Sequence, residues 1–463
     1  MRNAQGQVVV LQPSLAEWLK IDKDKMRALL NELAFQAHIS QPELVGTADV
    51  DEGKLVSGLM RLSQNPDVNP AWLVEYLSQR AGLLLPRGIG VYTFPHRTFQ
   101  EYLAACYLTD HDYPDRVAEL ARNEPNRWRE VALLAGAKAA RGTAAAIWLL
   151  VEALCYREPD GPQNVSADTW GALLAGQALV ETASLEQVSE RNQPKLQRVQ
   201  RWLVGLLEQG ELPVVDRAVS GRTLGRLGDL REGVSKLPPL LTPLIEGKFL
   251  YGEKKTERET RPFQAGVYLI TNAQFAPFIA APGYEQARWW SEAGWRECSR
   301  QKWTQPRLWD DSRWNNPNHP VVGVSWYEAE AFCHWLSETY GQTYRLPTEV
   351  EWERLARGQD GRTYPWGNKW QEGLANTSES DIGRTSTVGL FPGGVSPTGA
   401  YDCAGNVWEW CADWADEKKT ARVLRGGSFD DNEYYARCAS RSWNVPDNWD
   451  FDIGFRVVLS PIL

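Results

Sequence analysis

The chain has 463 residues, about three domains at roughly 150 residues each, and its 43% hydrophobic and 24% charged residues exclude a collagen-like, disordered or disulfide-stapled protein. A net charge of −9 argues against a nucleic-acid binder, since no overall positive field would draw in phosphates. Seven scattered cysteines without a CxxC pair read as reduced thiols of a cytoplasmic protein, and neither a secretory signal nor the roughly 18 apolar residues of a membrane span is present.

From Ser14 to about Arg80 the pattern is helical, with Met26, Leu29, Leu30, Leu33 and Ala34 on one apolar stripe. Gly82 to Pro86 and Val91 to Phe94 are strand-like runs around Arg-Gly-Ile-Gly, which predicts a hairpin wing. Thr98 and Glu101 have the spacing of a capping box, starting a helix with Phe99, Tyr102, Leu103 and Cys106 on one side. His96, with no nucleophile or carboxylate beside it, is expected to be a packed, hydrogen-bonded residue. From about 115 to 245 the chain is Ala/Leu/Arg-rich and helical, read as an irregular solenoid of helix pairs. Beyond Lys248 it turns to short strands, Gly/Pro/Asn turns and Trp: sixteen of the 22 Trp follow residue 250.

The run FPHRTFQEYLAACYL at Phe94 to Leu108, with RAGLLLPRGIGVYT before it, resembles the segment that follows the nucleotide-binding core in bacterial NACHT-type signalling ATPases. That resemblance covers about the first 110 residues and implies a winged helix used for packing, with a NACHT ATPase as partner. No GxxxxGK[ST] loop occurs in the chain, so no nucleotide cofactor is expected.

In the C-terminal half, Val267 to Phe275, Pro320 to Trp335, Arg345 to Glu353, Tyr364 to Asn368, Tyr401 to Trp410, Arg422 to Ser428 and Ile453 to Arg456 fall in one order. This set resembles the formylglycine-generating-enzyme (sulfatase-modifying factor) family over essentially all of residues 250 to 463. The expected architecture is therefore α+β and multidomain: a winged-helix-like NACHT-tail domain over 1–112, an irregular α-helical domain over 113–247 and a C-type-lectin-like domain over 248–463. Enzymes of that family oxidise a substrate cysteine with two cysteines of their own, at positions filled here by residues such as Asp431 and Tyr435, while Cys438 aligns with a structural cysteine. Without a thiolate pair no copper and no catalytic residue are expected, and the expectation is a protein that is not an enzyme.

The resemblance also implies structural calcium. Asp402 and Glu409 flank the carbonyls of Gly405 and Val407, a hard-oxygen set, and Asn376 with Asp381 forms a second, weaker candidate. The alternative is that Asp402 caps a turn and Glu409 pairs with an arginine such as Arg441.

Residues 425–456 keep framework positions but vary between them, and resemble the variable region of proteins diversified by retroelements, in which adenines of a template, commonly in AAY codons, are randomised. Asp430, Asp431, Tyr434, Tyr435, Ser440, Ser442, Val445, Asp450, Phe451 and Asp452 are reachable from AAY, and Asn444 is compatible with an unaltered codon. Trp443 and Trp449 are one adenine change from the arginine codon AGG, and Glu433 fits least well. Tyr and Trp offer rigid contact area and Asp, Asn and Ser adaptable hydrogen bonds, as in an antibody paratope. Six acidic residues against two Arg between 429 and 453 favour a basic or mixed-charge protein or other macromolecular ligand. Framework Trp such as Trp326, Trp335, Trp352, Trp366, Trp408 and Trp410 should be buried, whereas Trp443 and Trp449 should face outward; Phe429 fits either core or surface.

Overall fold

The computed structural model describes residues 14–80, 84–160, 165–210 and 212–460. They form two units, 1–195 and 196–463, each with its own core.

The first unit opens with α1 (Leu15–Leu19) and α2 (Lys23–Ser40), the latter started by Asp22, whose carboxylate accepts the amides of Asp24 and Lys25. The apolar stripe lies as expected, with Leu29, Leu30, Leu33 and Ala34 buried and Met26 packed at its margin. There follow β1 (Asp49–Asp51), α3 (Glu52–Leu62), α4 (Pro70–Arg80), β2 (Leu85–Gly88) and β3 (Val91–Thr93). The hairpin is present, and β1 adds to it antiparallel to make the order β1-β3-β2; the first residues expected in its first strand, Gly82 and Leu83, lie outside the described residues.

Helix α5 (Arg97–His111) starts one residue before the expected capping box. Thr98 lies within the helix, and the Glu101 carboxylate is taken by Arg97 at 2.8 Å instead of returning to a cap. His96 is an exposed N-cap whose carbonyl accepts the amides of Phe99 and Gln100, not the packed side chain expected.

Helices α6 (Asp115–Asn123), α7 (Pro125–Gly142), α8 (Ala146–Leu154) and α9 (Ser166–Thr182) each touch the other three, so they make one small bundle where a solenoid of pairs was expected. Small residues allow the close approach: a Cβ on Gly171 would meet the Leu154 carbonyl oxygen at 2.2 Å.

Helix α10 (Gln193–Gln209) falls almost wholly in the second unit and α11 (Val214–Leu227) entirely so. One turn apart on α11, Gly221 sits against Thr387 and Gly225 against Asn316 and Asn318, where any Cβ would clash with side-chain atoms 2.1–2.4 Å away. The Asn318 amide donates to the Gly221 carbonyl at 2.9 Å, and the Asn316 amide to that of Arg222 at 3.0 Å. These contacts fasten the helix to the loops of the following domain.

That domain has two four-stranded sheets. Strands β4 (Ile245–Tyr251) and β5 (Thr256–Ala265) precede α12 (Asn272–Ala280), α13 (Glu292–Gln301), α14 (Trp326–Tyr340), β6 (Thr343–Arg345) and α15 (Glu349–Arg357). Then come β7 (Trp408–Trp414), β8 (Arg422–Arg425), β9 (Arg441–Asn444), β10 (Ile453–Gly454) and β11 (Val458–Ser460). The sheets run β4-β5-β11-β6 and β10-β7-β8-β9.

Three of the sequence motifs are helix starts: Thr271 with Gln274 caps α12, Ser325 with Glu328 caps α14 and Thr348 with Glu351 caps α15, each as a reciprocal capping box. Between helices and sheets lies an aromatic core in which Phe275 stacks on Phe332 and both contact Phe455. Trp326, Trp335, Trp352, Trp408 and Trp410 are buried as expected, while Trp366 is only half-buried, stacked on Tyr364.

Arg425, at the end of β8, is a fully buried charge of this core. Its guanidinium pairs with Glu353 on α15 and donates to the carbonyls of Cys438 at 2.8 Å and Ala439 at 3.2 Å. It thereby closes the loop between β8 and β9. Removing Arg425 leaves the buried Glu353 with Arg357 as its remaining cation and takes a donor from each of the two carbonyls, so Arg425→Ala should cost about 3–5 kcal/mol in denaturant unfolding. Arg441→Ala, which breaks the half-exposed pair with Glu349, should cost no more than about 1 kcal/mol; equal losses would show that Arg425 does not hold the loop.

Candidate ligand-binding face

The 426–440 loop and the 445–452 segment flank β9 and are fixed from below. Gly427 has φ +74°, a left-handed conformation, and a Cβ there would press on the Tyr435 carbonyl at 2.9 Å. The Asp431 carboxylate accepts from the Trp408 indole at 2.8 Å and from the Ser428 amide and hydroxyl at 3.0 and 2.7 Å. The second segment is pinned by its backbone: Pro446 and Asp450 carbonyls accept the amides of Trp326 and Gly323, and the Asp452 carbonyl that of Trp408.

On this frame the side chains divide. Of the sixteen Trp beyond residue 250 only Trp443 (61%) and Trp449 (38%) are exposed, and Tyr434, Tyr435, Val445 and Phe451 are exposed with them. Phe429 belongs to the core. Phe451 stacks on Trp314, and Arg437 lies 3.9 Å over the Tyr434 ring, so both aromatics are braced. Below β8, the Arg422 guanidinium is sandwiched 3.5 Å from both Trp326 and Trp414, and burial pulls its pKa down to about 10.

Several expected contact residues do other work. Ser440 is buried, its hydroxyl donating to the Tyr434 carbonyl at 2.9 Å, because the loop turns there. Asp431 is committed inward, as described. Ser442, Asn444, Asp450 and Asp452 are half-buried, whereas Asp430 is exposed. Asp452 is pushed up to about 6, first by burial and then by the charges of Asp450 and Asp431.

The side chains expected to hold calcium have other partners in this structure. Both Glu409 oxygens accept from Arg456, at 2.6 and 2.7 Å, an arginine other than the Arg441 considered above. Asp402 gives one oxygen to the Gly389 amide and has Arg456 and Arg231 as neighbours, so positive charge already occupies its surroundings. Gly405 and Val407 therefore face no pair of free carboxylates. In the second set the Asn376 amide donates to Arg384 and Asn406, its oxygen accepts from Ser380, and Asp381 is exposed. Among the described residues no group of three His, Cys, Asp or Glu side chains could hold a metal ion. All seven cysteines are buried and unpaired, and burial raises the Cys438 thiol. No helix among the described residues is long and apolar enough to cross a membrane.

Residues 239–461 match the family described as sulfatase-modifying factor enzyme 1-like domain, and residues 60–108 match the winged helix-turn-helix domain C-terminal to NACHT. A formylglycine-generating enzyme of Thermomonospora curvata is 35% identical over 43% of this chain and 83% of its own. A hercynine oxygenase of Mycolicibacterium thermoresistibile is 31% identical over 42% of this chain and 50% of its own. A solved structure, Treponema denticola variable protein 1, aligns with 49% of this chain and 98% of its own at 19% identity and a TM-score of 0.37. The chain belongs to the formylglycine-generating-enzyme family, joined to a NACHT-associated winged helix. The expected α+β architecture, with its winged-helix and lectin-like ends, is thereby established. The expectation that the chain is not an enzyme is overturned by the same relatives, which are named as enzymes.

Two measurements follow. The Asp452 pKa is raised from 3.8 to about 6, so the folded state binds the proton more tightly and stability falls as pH rises from about 4 through 6. Asp452→Asn should raise stability by about 1–2 kcal/mol at pH 8 and by nothing at pH 4; a pH-independent effect would contradict this. With Glu409 held by Arg456, the melting temperature should not change in excess chelator. A chelator-induced drop would restore the calcium site.

Proposed function

We propose that the C-terminal domain is a recognition module whose face around 430–452 binds a protein or other macromolecular ligand, with side chains varied by a retroelement. One observation carries this reading. Among the described residues of 196–463, six of the ten exposed large apolar or aromatic side chains lie between 434 and 451. A domain that buries or half-buries its other C-terminal Trp leaves two in water only here, and clustered aromatic surface marks an interaction site. Exposed Asp430, Glu433 and Asp447 favour a basic or mixed-charge partner. The winged helix and helical bundle couple recognition to signalling or defence through a NACHT ATPase, and the buried free thiols suit the cytoplasm.

A surface built to vary must tolerate variation. Replacing Tyr434, Trp443, Val445 and Trp449 together with Ser or Asn should lower stability by no more than about 2 kcal/mol, since surface changes lie within about 0.5 kcal/mol each. A loss of folding would mean that these side chains are core. The flanking DNA tests the diversification: a reverse transcriptase gene and a near-repeat carrying adenines at the variable codons are expected. Their absence would leave a binding face of fixed specificity.

The relatives named formylglycine-generating enzyme favour a second reading, oxidation of a substrate cysteine by this domain. Aerobic incubation with a cysteine peptide, copper(I) and a reducing agent would reveal it as conversion of the thiol-bearing carbon to an aldehyde, with dioxygen as oxidant and the sulfur released as sulfide.

A further inference from the structure

The two edges of the sheet β10-β7-β8-β9 differ. At β10 the edge is closed: Ile453 and Gly454 are buried, and a Cβ on Gly454 would lie 2.8 Å from the Val321 carbonyl oxygen. At β9 it is open. The β8 to β9 ladder runs without a register break from Arg425 opposite Arg441 to Arg422 opposite Asn444, whereas the β7 to β8 pairing shifts between Trp410 and Trp414. No proline and no bulge interrupts 441–444, so β9 lacks two of the devices that usually protect an edge.

In an antiparallel ladder alternate residues turn their N–H and C=O groups away from the neighbouring strand. Two of the four residues of β9 must therefore aim a donor and an acceptor at the outer edge. Among the described residues, no backbone hydrogen bond outside the β8 pairing reaches 441–444. Side chains alternate along the strand, Arg441 and Trp443 exposed, Ser442 and Asn444 half-buried.

We propose that the outer edge of β9 pairs with an extended, basic segment of a protein partner, which joins the sheet as a fifth strand with Trp443 as its side-chain anchor. This rests on the reading of the surrounding face as a binding surface and names how it binds. Charge selects the occupant. Both arginines of the face are already paired, Arg437 with Glu253 at 3.0 Å and Arg441 with Glu349 at 2.8 Å, while Asp430, Glu433 and Asp447 remain exposed. The segment that carries the edge thus holds six acidic residues against two arginines between 429 and 453, which favours lysine- or arginine-bearing strands and disfavours acidic ones. Strand addition also suits a surface whose side chains vary: main-chain hydrogen bonds do not depend on which side chain is present, so affinity persists while Trp443 and its neighbours set specificity.

The probe is a ten-residue peptide of alternating Lys and Val, read by amide hydrogen exchange of the full-length chain. Protection of at least tenfold at two alternate amides within 441–444 is expected. The same peptide N-methylated at alternate residues should lose that protection on one edge, and a helical Lys/Leu peptide of equal charge should give none. Equal protection by the N-methylated or helical peptide would overturn strand addition. So would protection confined to residues 434–435 and 449–451, an outcome that leaves the binding face standing. Absence of protection anywhere would overturn the proposal, and the tolerance of the quadruple variant would then decide separately whether the face is surface or core.

Discussion

The proposed binding face depends on one buried guanidinium. Arg425 ends β8, and the loop that follows wanders through fourteen further residues to Ala439 before β9 begins. By reaching Glu353 with one nitrogen and the carbonyls of Cys438 and Ala439 with its two terminal nitrogens, it binds both ends of that loop to the helix beneath. Glu353 also accepts from Arg357 at 2.6 Å, so the carboxylate serves two cations in a site from which water is excluded. A pairing of this kind stabilises little relative to apolar packing but penalises every arrangement that breaks it. What it confers is a single loop conformation whatever the loop side chains are. That requirement is the one a display surface has and an ordinary loop lacks.

The division between frame and display is visible residue by residue. Gly427, Ser428, Asp431 and Ser440 direct their chemistry inward, toward Trp408 and the turn itself, and Phe429 joins the core. Tyr434, Tyr435, Trp443 and Trp449 direct theirs outward. Family membership and recognition are not alternatives at this level. The same fold can carry the oxidation chemistry for which its relatives are named, or present a surface, depending on what its loops hold.

Features encoded over a few residues were legible in the sequence. The capping boxes at Ser325 and Thr348 lie inside the motifs that revealed the family, the apolar stripe of α2 follows a helical period, and the exposure of Trp443 and Trp449 followed from their place among variable positions. Features settled by distant partners were not. The spacing around Asp402 and Glu409 suits calcium, yet Arg456, 47 residues from Glu409, takes its carboxylate. Asp431 reads as variable, yet its oxygen is claimed by Trp408, 23 residues away. The Thr98 and Glu101 spacing failed because Arg97 competes for the same carboxylate. A signal for the position of α11 did exist: Gly221 and Gly225, four apart on one helix face, mark a close approach to another element.

The acidic residues scattered among the exposed aromatics have a colloidal consequence. A patch of Tyr, Trp, Val and Phe on an open sheet edge is the surface through which copies of one chain would adhere to each other. Asp430, Glu433 and Asp447 place like charges on that surface, so two copies approaching face to face repel before the rings meet. On the proposed reading, solubility and ligand choice are governed by the same carboxylates. Exchanging them for neutral residues would cost resistance to clumping, so the variation proposed for this segment would be limited by precipitation before it was limited by folding.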